Sequence, residues 1–474
     1  MRASDPKKAR AKKARRNADV LVVKLNDHAA LEACATGEIV AYAQGHSVSL
    51  GAFGDDAASW LKKLSAGLPT AAAAAGDKLS KLLIGRLATR GLLEFKLSAS
   101  SGEELAVVEP QVADYWPQTP ALRDADRLVL SRFAYLRRRG VDMVLESPRA
   151  GALFRLRDPN IASLLASLAT PRRVKELRRC EHFPGASLLA LLLHSELLVK
   201  SDVAEGTALR RDEGDEQLVL WDFHDLLFHA RSTEGRHANL LGGAYPHVGV
   251  IAPLPAVRPS WSGKKIELPE PQALSIFAEL LRRRRSARSF DDDRPITLQE
   301  ISTFLDRSAR VLSRWSDPST EDGGHTSRPY PTAGAAYELE LYLAVARCGG
   351  LERGFYHYDA GAHALARIQA QESDFESLMA QSAQAMGVAA PPQILIVAAA
   401  RFGRISWKYS AIAYSLIMKD VGALSQTLYL TATDMQLGGC AIGISNIDLF
   451  ARMTGIDFHV EGAVGQFALG RGVK

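Results

Sequence analysis

The sequence predicts an α+β protein in three parts, two small strand-and-helix modules followed by one larger α+β domain. Three observations carry this. At 474 residues the chain is too long for one ordinary core, and its apolar content can fill two or three. A plan of strands, then helices, then a closing strand occurs twice before about residue 200. Pro-rich loops from Pro246 to Pro271 then set this front apart from a remainder with its own helices and strands.

Residues 1–17 form a basic, apolar-poor run, Lys7 to Arg16, with the composition of a solvated, disordered tail. An electrostatic grip on an acidic peptide or nucleic acid is its alternative use. It has no apolar h-region and so does not read as a secretory signal. In the first module, residues 18–110, Val20 to Val23 and Glu38 to Tyr42 are β-rich. Aspartates suited to capping open a helix from Asp55 to Leu64, and Asp77 to Arg90 spaces its leucines for a second. Gly91 ends that helix before the extended run Leu92 to Leu97. Helices leading into a short strand pair resemble a winged helix-turn-helix.

The second module, residues 125–215, follows the same plan. Leu128 to Tyr135 and Met143 to Glu146 read as strands, Asp158 to Leu168 and Ala186 to Leu193 as helices, and Leu197 to Val199 as the closing strand. The acidic stretch Asp212 to Glu216 marks a boundary, residues 216–269 read as a linker, and residues 270–474 as the large domain. There, Phe277 to Arg285 and Ile296 to Ala309 are helical, the second behind a capping box of Thr297 and Glu300. Leu339 to Ala346 and Gln393 to Ala399 are strands. A long helical pattern between Trp407 and Met435 carries small residues (Ala411, Gly422, Ala423) where another backbone could approach.

The formal charge of +5 is mild for this length. No stretch reaches the roughly 18 uncharged apolar residues that a membrane helix needs, so no membrane span is expected. Cys34, Cys180, Cys348 and Cys440 lie far apart without metal or disulfide spacing, which points to a reducing cytoplasmic setting. His224 and His229 are five apart with no acidic ligand set, a poor zinc pattern, so no metal is expected.

The chemistry-bearing segments lie mainly in the last domain. Arg284, Ser286 and Arg288, in Arg-Arg-Ser-Ala-Arg-Ser-Phe, alternate, so in an extended segment they point the same way and could grip a terminal phosphate. The competing reading is a charged helix end that suits the macrodipole. Arg328 to Gly334 (Arg-Pro-Tyr-Pro-Thr-Ala-Gly) is a Pro/Gly loop able to present backbone donors to a planar polar ring. Gln436 to Gly443 (Gln-Leu-Gly-Gly-Cys-Ala-Ile-Gly) lets backbone lie flat on an aromatic system, and Gly465 to Arg471 is a strand closing on an arginine.

Together these four segments resemble the flavin-binding landmarks of the nitroreductase superfamily, over about residues 270–474. Trp221 to Ser232 (WDFHDLLFHARS), Gly235-Arg236-His237 and Ser131 to Arg138 (SRFAYLRR) narrow the resemblance to SagB-type peptide dehydrogenases, the azoline oxidases of thiazole/oxazole-modified peptide biosynthesis. That resemblance implies an FMN enzyme, a homodimer with the flavin at the subunit interface. Arg284, Ser286, Arg288 and Arg471 would hold the FMN phosphate. Pro331, Thr332 and Ala333 would meet the ring from the partner subunit, and the backbone near Gly443 and Ile444 would face the flavin N5 edge. One departure is Gln436, where family members often carry glycine.

The same resemblance implies oxidation of thiazolines or oxazolines in a ribosomally made precursor peptide, after a cyclodehydratase has formed the rings. Aromatising an azoline removes a hydride, which FMN N5 can take, and a proton, which needs a general base. Lys408-Tyr409, just ahead of the long helix, resembles the catalytic pair of azoline oxidases. A buried lysine titrates nearer neutrality and an ammonium eases deprotonation of a neighbouring phenol, so the two could share the proton. The front modules would dock the precursor as an added strand, since no concentrated basic recognition helix favours nucleic acid. The alternatives are a NAD(P)H-dependent nitroreductase-like reductase and a non-catalytic precursor-binding scaffold.

Overall fold

The structure is a computed structural model. It describes residues 19–473 except 28, 35–36, 44–45, 54–56, 113–114, 202–212, 214–215, 238–241, 244, 246, 261, 271–272 and 317–322. The basic run Lys7 to Arg16, the aspartates expected to cap the first helix and most of the acidic stretch from Asp212 lie outside the described residues. The chain divides into two units, residues 1–238 and 239–474.

The first unit runs the same order of elements twice. Its first pass is β1 (Val20–Leu25), a meander of β2 (Ala29–Ala33), β3 (Glu38–Ala43) and β4 (His46–Ala52), then α1 (Ala57–Ala66). There follow the two-residue strand β5 (Leu68–Pro69), α2 (Thr70–Ala74), α3 (Lys78–Thr89), β6 (Leu93–Ser98) and β7 (Glu104–Pro110). The second pass is β8 (Arg127–Leu130), a meander of β9 (Tyr135–Arg139), β10 (Asp142–Glu146) and β11 (Ala152–Leu156), then α4 (Pro159–Ser167). It closes with β12 (Arg172–Arg173), α5 (Val174–Leu177), α6 (Ala186–His194) and β13 (Leu198–Lys200). Local chemistry sets the helix starts: Asp77 accepts the Ser80 N–H at 2.8 Å and Asp158 the Asn160 N–H at 2.9 Å.

The repeats are fused. Strand β11 pairs with β7, from Ala152 opposite Pro110 to Leu156 opposite Ala106, which extends the first repeat's sheet into seven strands ordered β5-β1-β6-β7-β11-β10-β9. Strand β8 instead lies between β12 and β13. One hydrophobic core runs from Val23 to Leu198 through both repeats. The single strand expected from Leu128 to Tyr135 is two strands, because Ala134 N–H bonds back to Ser131 O and turns the chain.

The start of the expected linker is structured too. Glu216–Leu220 is a 3-10 turn and Phe223–Ser232 is helix α7. Arg231 pairs with buried Glu146 at 2.8 Å, and Arg132 donates to the carbonyls of Leu218 and, at 3.0 Å, Trp221. Periodicity misses this segment because ties to distant elements hold it, through its own Arg231 and through Arg132.

The second unit is organised on a six-stranded, wholly antiparallel sheet. Its helices and strands are α8 (Ile276–Arg283), α9 (Leu298–Ala309), β14 (Ser313–Trp315), β15 (His325–Ser327), β16 (Leu339–Val345), β17 (Gly354–Asp359), β18 (Ala364–Ile368) and α10 (Glu372–Met386). Then come β19 (Ile394–Arg401), α11 (Phe402–Ser406), α12 (Ala413–Asp434), β20 (Gly438–Ile442), α13 (Ile447–Thr454) and β21 (Glu461–Gly470). The sheet order is β18-β17-β16-β19-β21-β20, while β14 and β15 form a separate hairpin. The central strands β19 and β21 are covered on both faces, which is why they read as near-continuous apolar runs. On one face Phe375 and Met379 of α10 and Phe450 and Met453 of α13 join the core. On the other, Phe467 of β21 meets Phe304 of α9 and Tyr429 of α12, with ring centroids 6.5 and 5.1 Å apart. The capping box at α9 forms as expected, Thr297 N–H donating to Glu300 at 2.9 Å and Glu300 N–H to Thr297 at 3.3 Å. Among the described residues no helix is long and apolar enough to cross a membrane.

Candidate functional site

Helix α8 stops at Arg283, and residues 284–289 carry no regular secondary structure. Arg284 and Ser286 both meet Tyr429 of α12. The Arg284 guanidinium lies 5.1 Å from the ring centroid, and the Ser286 and Tyr429 hydroxyls are 2.8 Å apart. The next residue, Ala287, donates its N–H to Gly439 O at 2.9 Å. The approach is so close that a Cβ on Gly438 would meet the Ala287 Cβ at 2.9 Å and Gly472 Cα at 3.0 Å, which explains the glycine there. Tyr429 also accepts the Ala441 N–H at 2.8 Å, and Gly443, two residues further along, is exposed with Ile444 half-buried beside it. Arg288 is exposed, and among the described residues neither it nor Arg284 has a carboxylate partner. The phosphate-type string and the small-residue turn are thus one surface patch.

Arg471 reaches this patch through its backbone. Its N–H donates to Gln393 Oε1 at 3.0 Å, and its carbonyl accepts the Asp291 N–H at 2.8 Å. The guanidinium is held elsewhere, by Glu300 at 2.8 Å. Burial raises the Glu300 carboxyl's pKa, but hydrogen bonds from Thr297 and Arg471 outweigh it and keep the group below its ordinary range.

The Pro/Gly loop follows β15. Its Ala333 N–H donates to both Asp420 oxygens, at 3.0 and 3.2 Å, and Thr332 Oγ accepts the Tyr337 N–H at 3.1 Å, leaving the threonine hydrogen free to donate. Pro331 is exposed, and Gly334 sits at φ +56°. Fully buried Glu338 lies beside Asp420 beneath this loop. Burial, reinforced by the Asp420 charge, pushes the Glu338 carboxyl up to about 8, and burial also raises Asp420.

Lys408 and Tyr409 occupy the turn between α11 and α12 and converge on that loop. Lys408 Nζ donates to Gly334 O at 3.3 Å. Tyr409 Oη and Lys408 Nζ both fill the space a Cβ on Gly334 would take. The ammonium stands 5.8 Å from the Tyr409 ring centroid. Lys408 is exposed, so this chain alone does not supply the burial expected of a basic lysine. Asp420 and Tyr429, the anchors of the loop and of the arginine string, are nine residues apart on α12, about 13 Å along its axis.

Sequence reasoning missed Tyr429, Asp420, Glu338 and Gln393. Asp420 and Tyr429 sit among other polar residues of α12, Glu338 and Gln393 stand just before β16 and β19, and the role of each exists only through partners distant in sequence. His229, by contrast, is fully buried and stacked on Trp221 with centroids 5.8 Å apart, and His224 stands 3.3 Å from Asp225. That is a packing arrangement, and no group of potential metal ligands occurs among the described residues.

The second unit thus sets an arginine string, a small-residue turn and a Pro/Gly loop along one helix beside an antiparallel sheet. Residues 281–471 match the nitroreductase family model, and residues 128–238 match that of the cyanobactin oxidase ThcOx. Two similar proteins carry the name putative nitroreductase. MJ1384 of Methanocaldococcus jannaschii is 32% identical over 179 residues, 38% of this chain and 83% of that one. A solved structure from Ralstonia eutropha is 21% identical with a TM-score of 0.34, over 44% of this chain and 89% of that one. A chain of the E. coli microcin synthetase McbBCD complex with truncated pro-MccB17 bound is 17% identical with a TM-score of 0.39, over 57% of this chain and 99% of that one. The chain belongs to the nitroreductase family. The resemblance to peptide-modifying oxidases of that superfamily is borne out by the two family models together.

Proposed function

We propose that this protein is an FMN-dependent azoline oxidase that turns thiazolines or oxazolines of a ribosomally made precursor peptide into thiazoles or oxazoles. The observation that carries the reading is the convergence of Lys408 and Tyr409 on Gly334, beside the loop residues expected to meet the flavin ring. A plain reductase has no need of a base there.

The residues fit an FMN. Arg284 and Arg288 offer guanidinium groups with no carboxylate partner among the described residues, and Ser286 a hydroxyl shared with Tyr429, for its phosphate, with Arg471 contributing by sharing itself with Glu300. A Cβ on Gly443 would meet nothing within 4 Å, so the backbone there is open to a flat ring. Bound FMN supplies the hydride acceptor. Lys408 and Tyr409 take the proton from the neighbouring ring carbon, and the Thr332 hydroxyl and loop backbone orient the ring system.

A homodimer completes the site. Helix α8 buries none of its own residues, leaving Ile276 87% and Phe277 59% exposed, and Gly422 is exposed on α12. A second copy would cover these surfaces and desolvate Lys408. The front unit docks the precursor, and a cyclodehydratase delivers the azoline form.

The test is to load the protein with FMN and incubate it with an azoline-bearing precursor. Mass spectrometry should show loss of two hydrogens per ring, abolished by Lys408→Ala with Tyr409→Phe. A yellow protein that consumes NADPH and leaves azolines untouched would be a reductase instead.

A further inference from the structure

Beneath the Pro/Gly loop two carboxyl groups stand against each other, Glu338 just before β16 and Asp420 of α12, both buried. Their side chains hydrogen-bond to one another. Among the described residues no N–H or O–H of another residue donates to either Glu338 oxygen. Two ionised carboxylates have no hydrogen to share, so the contact requires a proton held between them. The charges facing the pair are Arg328, ahead of the loop, and Lys419 on α12, and neither forms an ion pair with it among the described residues. Arg328 donates instead to Leu339 O at 3.1 Å. From β19, Arg401 gives Glu338 only its backbone N–H, to the carbonyl at 2.9 Å, and its guanidinium lies 3.7 Å from Glu340. The Tyr330 hydroxyl, also facing Glu338, is kept neutral by its burial.

The pair reaches the site through Asp420, whose two oxygens accept the Ala333 N–H at 3.0 and 3.2 Å. One residue further on, Gly334 O accepts Lys408 Nζ at 3.3 Å. The loop between is strained: beside Gly334, Ala335 at φ +53° and Tyr337 at φ +45° lie in the left-handed region that a Cβ disfavours. Such backbone keeps its shape only where its surroundings fix it. The Ala333 bond to Asp420 is one of those ties, and a second negative charge beside Asp420 would repel the group that makes it.

We propose that Glu338 and Asp420, sharing one proton, are positioning residues that hold the Thr332-Ala333-Gly334 loop in the shape that receives the flavin ring and seats Lys408. The proposal rests on the reading of this loop as a flavin contact. Glu338 acts through Asp420, and Asp420 through the Ala333 N–H.

Titration of the full chain with FMN, followed by quenching of flavin fluorescence from about pH 6.5 to about pH 9.5, tests it on wild type and Glu338→Gln. Glutamine keeps an N–H donor toward Asp420 at every pH, whereas the glutamate is protonated below about pH 8 and loses its proton above it. The ratio of the two Kd values cancels the flavin's own ionisations. It should move by about tenfold against wild type as pH rises through that value, the worth of one hydrogen bond to a charged acceptor. Hydrogen–deuterium exchange over residues 328–337, compared between the two proteins at each pH, should quicken in step in wild type alone. Asp420→Ala removes the acceptor and should weaken FMN by about tenfold at every pH, with no step near pH 8. A Kd ratio that stays constant across the range overturns the proposal, as does a step whose exchange lies outside this loop. Because cofactor binding and backbone exchange are read, a step without any azoline oxidation would leave the pair standing and sink the azoline-oxidase reading.

Discussion

Replacing Gly334 with alanine should separate catalysis from stability in a way that the geometry makes quantitative. Gly334 has φ +56°, where a side chain costs about 1–2 kcal/mol. The added Cβ would also collide with Tyr409 Oη, stand 2.9 Å from Lys408 Nζ and 3.3 Å from Lys408 Cε. Those atoms are the far ends of flexible side chains and can swing aside, so the stability loss should stay near the backbone cost. The swing itself moves the proposed base by about 1 Å, a displacement that can cost about 100-fold in rate. Gly455→Ala is the matched control: φ is +73° and nothing lies within 4 Å of its Cβ. Chemical denaturation should find the two variants about equally destabilised. Azoline oxidation should fall about 100-fold in Gly334→Ala and stay near wild type in Gly455→Ala. Equal oxidation rates in the two variants would refute the placement of Lys408 and Tyr409 in the chemistry.

Other outcomes follow from the same geometry. Tyr429→Phe leaves the Ala441 N–H unsatisfied and frees Ser286, so FMN affinity, read by quenching of flavin fluorescence, should fall by about 1–3 kcal/mol; an unchanged Kd would remove Tyr429 from the cofactor site. Gln436 holds a left-handed conformation at φ +57°, so Gln436→Gly should stabilise the C-terminal unit by about 1 kcal/mol in thermal unfolding, and a loss would mean that its side chain makes compensating contacts. Glu338 carries a proton in the folded protein up to about pH 8, against an ordinary value of 4.5. Its contribution is therefore fully present below about pH 4.5 and lost as pH rises through 8, by up to about 5 kcal/mol shared with Asp420. Glu338→Gln should flatten that decline in denaturation curves taken across this range, and parallel curves for the two proteins would contradict the assignment.

What was legible in the sequence was local. Arginines alternating around a serine, prolines before a Thr-Ala-Gly and a glycine pair after a long helix announce backbone shapes and ligand chemistry within a few residues. The alternating Arg284 and Ser286 lie beyond the end of α8 at Arg283, and both meet Tyr429. What was not legible depends on distant partners. Nothing in the run around Arg471 reveals that Glu300, far earlier in the chain, holds its guanidinium. The pairing of β7 with β11, which fuses the two front repeats, is a matter of strand order and leaves periodicity unchanged. Gln436 shows the reverse case, a departure visible in sequence whose meaning the backbone supplies: the helix still ends in a left-handed turn, with Leu437 N–H reaching Ala432 O at 2.8 Å, at a residue that pays for a Cβ.

The central claim is that this chain removes hydrogen from an azoline ring and passes the electrons to its flavin. Mixing the FMN-loaded protein with a thiazoline peptide under exclusion of oxygen and of nicotinamide tests it most directly. The account predicts bleaching of the oxidised flavin's visible absorbance, one flavin for each ring that loses two hydrogens by mass, and slow or no bleaching with Lys408→Ala. A flavin that stays oxidised beside the intact thiazoline, yet bleaches on addition of NADPH, would contradict it.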